Sequence, residues 1–233
     1  MRPHPSLLLL DLDNTLADRE TAFRTWAAER AATWAPNDNG AADFLMELDA
    51  DGLCPKPAFA EAVILRFGLR ETADAVVADV RQGLLNGLPP IDPHVIHELG
   101  RLRAAGWKTA LVTNGLQAVQ TAKVQHLGAA HLFDAVCISG QLGVRKPDAK
   151  IFEIAAEACG VSLTAAWMIG DGLADIQGAH NARIRSIWLS RGRSWKHGDF
   201  APDHVAGSLG EALSLLAEDP DWPTHPSSAP QGA

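Results

Sequence analysis

Cysteine is scarce in this sequence: 233 residues hold three, Cys54, Cys137 and Cys159, widely separated. An odd, scattered set fits neither a disulfide framework nor a metal-ligand spacing, and reads as reduced thiols of a cytosolic protein. Basic charge is scarce as well, with 20 Lys and Arg against 28 Asp and Glu and a formal net charge of −8. That balance argues against a nucleic-acid polymer or an anionic membrane as partner, because both are themselves negative. It still admits a small anionic substrate, since a local lysine or metal ion can reverse the sign at one site. The first apolar run, Ser6 to Leu10, is about a third of the length that spans a bilayer. The segment before it has no small-residue cleavage site of a secretory signal. The expectation is a cytoplasmic chain. No internal repeat is visible.

The remaining composition, 47% hydrophobic and 21% charged, is that of an ordinary globular protein large enough to bury a substantial core. Five short apolar runs stand out: Ser6–Leu10, Thr109–Val112, Ala135–Ile138, Ala166–Ile169 and Ser186–Leu189. Uninterrupted runs of this length suit strands buried on both faces of a parallel sheet. Between them, Pro93–Ala105, Ala118–Leu127 and Lys150–Cys159 have helical length and an amphipathic pattern; in the first, Val95, Ile96, Leu99 and Leu102 share one face. From residue 90 onward, strand and helix alternate, which predicts an α/β doubly wound parallel sheet.

Residues 18–88 read differently. Helix formers dominate, and breaks fall at Pro36–Gly40 and at Asp51–Pro57. We read this stretch as a helical insertion after the first strand, closed by Pro89-Pro90, which cannot continue a helix. The predicted division is a core of residues 1–17 and 89–218, an inserted unit of 18–88, and a tail of 219–233 without apolar periodicity.

Four segments carry chemistry, three at strand ends and one in a loop. In open α/β sheets the carboxyl ends of the strands form the ligand crevice, so residues far apart in sequence meet there. Asp11-Leu12-Asp13-Asn14-Thr15-Leu16 places a carboxylate pair just past the first strand. One carboxylate can attack phosphorus and the other can move the proton. The pair reads equally as the approach to a helix capped by Asn14 or Thr15. Thr113-Asn114-Gly115 offers a hydroxyl and backbone N–H groups for an anion, or an ordinary turn. In Arg145-Lys146-Pro147-Asp148 a lysine could neutralise a transferring phosphoryl group, or lie in a solvated turn. Gly170-Asp171-Gly172-Leu173-Ala174-Asp175 adds two carboxylates suited to magnesium, or to a helix N-terminus.

Taken in order, these segments resemble the four motifs of the haloacid dehalogenase (HAD) superfamily, over about residues 6 to 215. The resemblance implies a Rossmann-like core with a helical C1 cap, here residues 18–88, and a Mg2+ cofactor. Asp11 would be the nucleophile and a metal ligand. Asp13 would be the general acid/base, its backbone carbonyl also on the metal. Thr113 and the Asn114 N–H would bind phosphate, with Lys146 steadying nucleophile and phosphate. Asp171 would complete the metal ligands, supported by Asp175.

Within that superfamily the dehalogenases lack the second aspartate, so Asp13 favours phosphoryl transfer. A phosphonate-cleaving branch uses a cap lysine; the only lysine of residues 18–88 is Lys56, read here in a loop. The expected function is Mg-dependent hydrolysis of a small phosphate monoester, such as a nucleoside monophosphate or sugar phosphate, through an aspartyl-phosphate. The alternatives are a sugar phosphomutase and a non-catalytic binding protein on the same scaffold. Ser139 to Asp148 is similar to HAD phosphatases of nucleoside monophosphates and acylneuraminate 9-phosphate. A monomer or homodimer is expected. Arg19, Phe23 and Trp26, with Glu20, are cap candidates, although aromatics at helical spacing are usually core.

Overall fold

Four consecutive leucines, Leu7 to Leu10, are fully buried and form the central strand β1 (Leu7–Leu10). The computed structural model describes residues 6–218, so the expected tail of 219–233 lies outside the described residues. Five further strands follow: β2 (Lys108–Thr113), β3 (Ala135–Ile138), β4 (Ala166–Gly170), β5 (Arg185–Leu189) and β6 (His204–Ala206). They form one sheet of order β3-β2-β1-β4-β5-β6 with every pair parallel. The chain order reverses at β1, between β2 and β4, and that is where an open α/β sheet leaves a crevice beyond its strand ends.

Parallel strands covered on both faces have no solvent side, which is why β1 reads as unbroken leucine. Leu7 and Leu9 join a core with Ile151, Phe152, Ala155 and Ala156. The first five strands fall where the apolar runs predict, with β1 one residue shorter than its run, β2 extended by one residue at each end, and β4 and β5 extended by one residue at one end. The sixth was not predicted. It has three residues, two of them exposed (His204 and Val205), and pairs only with β5.

The described residues form two compact units, 6–17 with 91–218, and Asp18–Pro90. The second consists of helices α1 (Arg19–Trp34), α2 (Ala41–Asp49), α3 (Lys56–Phe67) and α4 (Ala73–Gly87). Helix α1 starts because the Asp18 carboxylate accepts the N–H of Thr21, and α4 because the Thr72 hydroxyl accepts that of Ala75. Asp18 therefore does the capping that the sequence allowed for Asn14 or Thr15. The predicted break at Asp51–Pro57 is shorter than expected: α3 already starts at Lys56, because proline is tolerated in a first helical turn. Lys56 accordingly sits on a helix and not in a loop.

Phe23, Trp26 and Phe59 are buried together with ring centroids 5.3 to 6.0 Å apart. Gly83 allows this packing, since a Cβ there would come within 2.1 Å of the Trp26 ring. Phe23 and Trp26 are thus core residues. Arg19 is buried too, and its guanidinium grips both oxygens of the buried Asp49 at 2.7 and 2.8 Å. Lys56 Nζ adds a third contact to Asp49 at 2.7 Å.

The other unit adds α5 (Pro93–Ala104), α6 (Gln117–His126), the single turn α7 (Ser139–Leu142), α8 (Lys150–Ala158), α9 (Leu173–Ala182) and α10 (Leu209–Glu218). Among the described residues no helix is long and apolar enough to cross a membrane.

Burial alone would raise the Asp49 carboxyl, but Arg19 and Lys56 outweigh it and hold it below its ordinary 3.8. A depressed carboxyl stabilises the fold above that value and ceases to do so as pH falls through the folded value. Asp49→Ala strands a buried guanidinium, so urea unfolding at pH 7 is expected to show a loss of roughly 3–5 kcal/mol. The difference from wild type should shrink in acid, below about pH 4.

Candidate active site

Beyond Leu10 the chain does not run on but folds into a tight loop. The N–H groups of Leu16 and Ala17 both bond to the Leu12 carbonyl, and that of Asn14 to Ala17. Asn14 takes φ +61°, a left-handed conformation that asparagine tolerates better than most residues. The Asp11 N–H is tied to the Ile169 carbonyl at 3.0 Å, which fixes the end of β1 to the end of β4.

Across that junction Asp11, Asp171 and Asp175 converge, each offering a carboxylate oxygen within 4.8 Å of the others, and all three are buried. Gly170 makes the approach of Asp175 possible, because a Cβ there would lie 2.3 Å from the carboxylate. Asp175 also reaches back to the Gly172 N–H at 2.9 Å at the start of α9.

Three buried carboxylates need a cation, and Lys146 supplies one. Its Nζ lies 2.5 Å from Asp11 Oδ1, 2.6 Å from Asp175 Oδ1 and 2.6 Å from the Val112 carbonyl. The loop bearing Lys146 is clamped by the Asn114 side chain, which donates to the Lys146 carbonyl and accepts its N–H, both at 2.9 Å. Asn114 was expected to serve through its backbone N–H; its side chain has this second task. Burial pushes the Asp11 carboxyl up to about 8; Lys146 opposes the shift, while Asp175 and Asp171 add to it. Burial would lower the Lys146 ammonium, but Asp11 and Asp175 outweigh it and drive it above its usual value, so the lysine stays charged.

Asp13 stands outside the group of three. Lys123 Nζ binds both its oxygens, at 2.5 and 2.7 Å, and Gln120 Nε2 binds Oδ2 at 3.0 Å. The same amide donates to Thr113 Oγ1 at 2.7 Å. On the far side, Arg191 and Arg193 reach Asp171 Oδ2 at 3.1 and 3.0 Å from the loop after β5.

The structure therefore brings Asp11, Lys146, Asp171 and Asp175 into one cluster, and sets Asp13 and Thr113 beside each other through Gln120. Sequence reasoning missed Gln120, Lys123, Arg191 and Arg193. Ala118–Leu127 was expected to be amphipathic with an apolar inner face; instead α6 buries Gln120 and Lys123 beside Val124, a mixed face that the apolar pattern did not reveal.

Oxygen-only donors at this spacing suit a hard divalent ion, which prefers carboxylates and keeps several waters. The chemistry open to the arrangement is nucleophilic attack by a carboxylate whose product and partners are held by fixed cations.

Comparison with known proteins agrees with this geometry. A family model described as haloacid dehalogenase-like hydrolase matches residues 5–183. A phosphoserine phosphatase of Thermus thermophilus is 36% identical over 150 residues, 64% of this chain and 57% of the relative. The pyrimidine 5′-nucleotidase PynA of Streptococcus pneumoniae is 39% identical over 106 residues, 45% of each chain. The chain thus spans about half the length of these curated relatives. Among solved structures, the HAD-hydrolase YfnB of Bacillus subtilis, bound to magnesium, superposes with a TM-score of 0.69 at 20% identity, covering 91% of this chain and 99% of that one. At that identity the likeness speaks for the fold. Family match, strand order and convergent motifs lead to one conclusion: the chain belongs to the haloacid dehalogenase-like hydrolase family.

Proposed function

We propose that this protein hydrolyses phosphate monoesters of small metabolites through a phosphorylated Asp11, with Mg2+ as cofactor. The observation that carries the reading is the pairing of buried Asp11 with buried Lys146, while a second carboxylate two residues on, Asp13, is held by a different cation. A dehalogenase would have no use for Asp13. The names of the relatives, a phosphoserine phosphatase and a pyrimidine nucleotidase, support a small phosphorylated metabolite as substrate.

Asp11 and Asp171 would hold the ion, with the Asp13 backbone carbonyl as a further ligand and Asp175 in support. When bound, Mg2+ supplies positive charge that offsets charge on the phosphoryl oxygens. The chain's own residues do the rest. An Asp11 oxygen attacks phosphorus; the P–O bond to the leaving group breaks, and Asp13 gives that oxygen a proton. Water then attacks the phosphorus of the aspartyl-phosphate, surrendering its proton to Asp13, and Asp11 departs as a carboxylate. Lys146 keeps Asp11 oriented and charge-balanced throughout. Thr113 and the Asn114 N–H hold phosphate oxygens during both steps.

Turnover of p-nitrophenyl phosphate and of a metabolite phosphate panel should require Mg2+ and fall roughly 10⁴-fold or more in Asp11→Asn. Free phosphate is the expected product; isomerised sugar phosphate without phosphate release, or full activity in Asp11→Asn, defeats the reading.

Ion binding should also show in stability. A carboxyl raised from 3.8 to about 8 keeps its proton in the folded state, so the ion-free fold loses stability as pH rises across that window. Mg2+ must displace that proton and therefore binds better at high pH. Melting scans should show a Tm gain at pH 8 of about 5 °C or more, with Mg2+ at roughly 100 times its Kd. A smaller gain is expected at pH 6, and none in Asp171→Asn.

A further inference from the structure

Helix α6 has the sequence QAVQTAKVQH, and two of its three buried positions are Gln120 and Lys123. Long polar side chains ordinarily face water from such a helix, and burying them costs desolvation. These two lie three residues apart on one face, a turn of helix from each other, and both point at the loop after β1. For Lys146 the reason for burial is plain, because Asp11 and Asp175 are buried as well. Asp13 is different: its side chain is 26% exposed while that of Lys123 is 6% exposed. A carboxylate with a quarter of its surface exposed can still be reached by water, and so depends less on a buried lysine than Asp11 does.

What water cannot give Asp13 is a direction. A general acid/base has to hold one oxygen within hydrogen-bond reach of the atom it serves. Lys123 fixes both carboxylate oxygens, at 2.5 and 2.7 Å, and Gln120 fixes Oδ2 a second time at 3.0 Å. The orientation of the Gln120 amide is itself determined. The Asp13 carboxylate can only accept, so the NH2 end faces it, and the two hydrogens of that end serve its two short contacts, Asp13 Oδ2 and Thr113 Oγ1, with the Asn114 carbonyl at 3.3 Å sharing one of them. That end therefore donates to Thr113 Oγ1 at 2.7 Å, which leaves the Thr113 hydrogen for another acceptor. Its contact to the Asn114 carbonyl, at 3.5 Å, is at the outer limit for a hydrogen bond.

We propose that Lys123 and Gln120 are positioning residues that aim Asp13 at the leaving-group oxygen and set the Thr113 hydroxyl to donate to the phosphate. The inference rests on the phosphatase reading above, in which Asp13 moves the proton. It gives α6 an indirect part in the reaction, exerted through Asp13 and Thr113.

The test uses esters whose leaving groups differ in their need for a proton. p-Nitrophenolate departs well without one, whereas an alkoxide does not. Lys123→Met is expected to lower kcat/KM for an alkyl phosphate about tenfold or more beyond its loss on p-nitrophenyl phosphate, mainly through kcat. Lys123→Arg should recover part of the difference. In an Asp13→Asn background, Lys123→Met should cause no further loss of nitrophenolate release, because it acts through the side chain already removed. Equal losses on both esters, or undiminished losses in the Asp13→Asn background, overturn the proposal. Circular dichroism checks folding; if Lys123→Met does not fold, Gln120→Leu and Lys123→Arg are put through the same two comparisons. A wild-type protein that releases no phosphate from any ester, or an unimpaired Asp11→Asn, would instead defeat the phosphatase reading itself.

Discussion

The contact of Lys146 with Asp11 and Asp175 is the constraint around which the site is built. Three carboxylates brought together in a buried crevice repel one another and lose their hydration, and both effects oppose folding. One ammonium group among them offsets part of that cost, but only if it is held still. Hence the loop carrying it is clamped from two sides. Asn114 grips the Lys146 backbone, and Asn181 donates to the Pro147 carbonyl at 2.9 Å. The glycine at position 170 belongs to the same device, because any side chain there would displace Asp175. Strand ends, loop clamp and glycine answer one electrostatic demand.

How far this was legible depended on whether a feature leaves a pattern in the sequence. Strands β1 to β5 are buried on both faces and therefore appear as apolar runs, with the end of each within a residue or two of where the run stops. Strand β6 leaves no such trace, since its pairing is made by backbone groups while His204 and Val205 face out. Lys56 illustrates a different failure. Proline next to it suggested a break, yet proline fits the first turn of a helix as well as it fits a loop. Arg19 shows that helical spacing can identify a buried face without revealing its chemistry: its partner Asp49 lies thirty residues away on another helix.

Within the site, the residues that could be read were those adjacent to strand ends, where topology itself predicts convergence. Gln120 and Lys123 lie one to two turns further on, in a helix with few apolar residues, and nothing local separates an inward lysine from a solvated one. Only the fold shows which way they face. Arg191 and Arg193 follow β5 in a segment without periodicity, and their reach back to Asp171 is a long-range contact that no pattern encodes.

The charges around the crevice are balanced locally although the protein as a whole is acidic. With Asp11 ionised, as it is once an ion displaces its proton, Asp11, Asp13, Asp171 and Asp175 face Lys123, Lys146, Arg191 and Arg193, and their formal charges cancel although the chain carries −8. On the reading proposed above, a dication and a phosphate dianion enter such a site together without adding net charge. Either one alone would leave an uncompensated charge in a low-dielectric crevice, which is strongly unfavourable. Ion and substrate should therefore favour each other's binding. Arg191 and Arg193, at 3.1 and 3.0 Å from Asp171 Oδ2, enter the same balance by offsetting that carboxylate's charge.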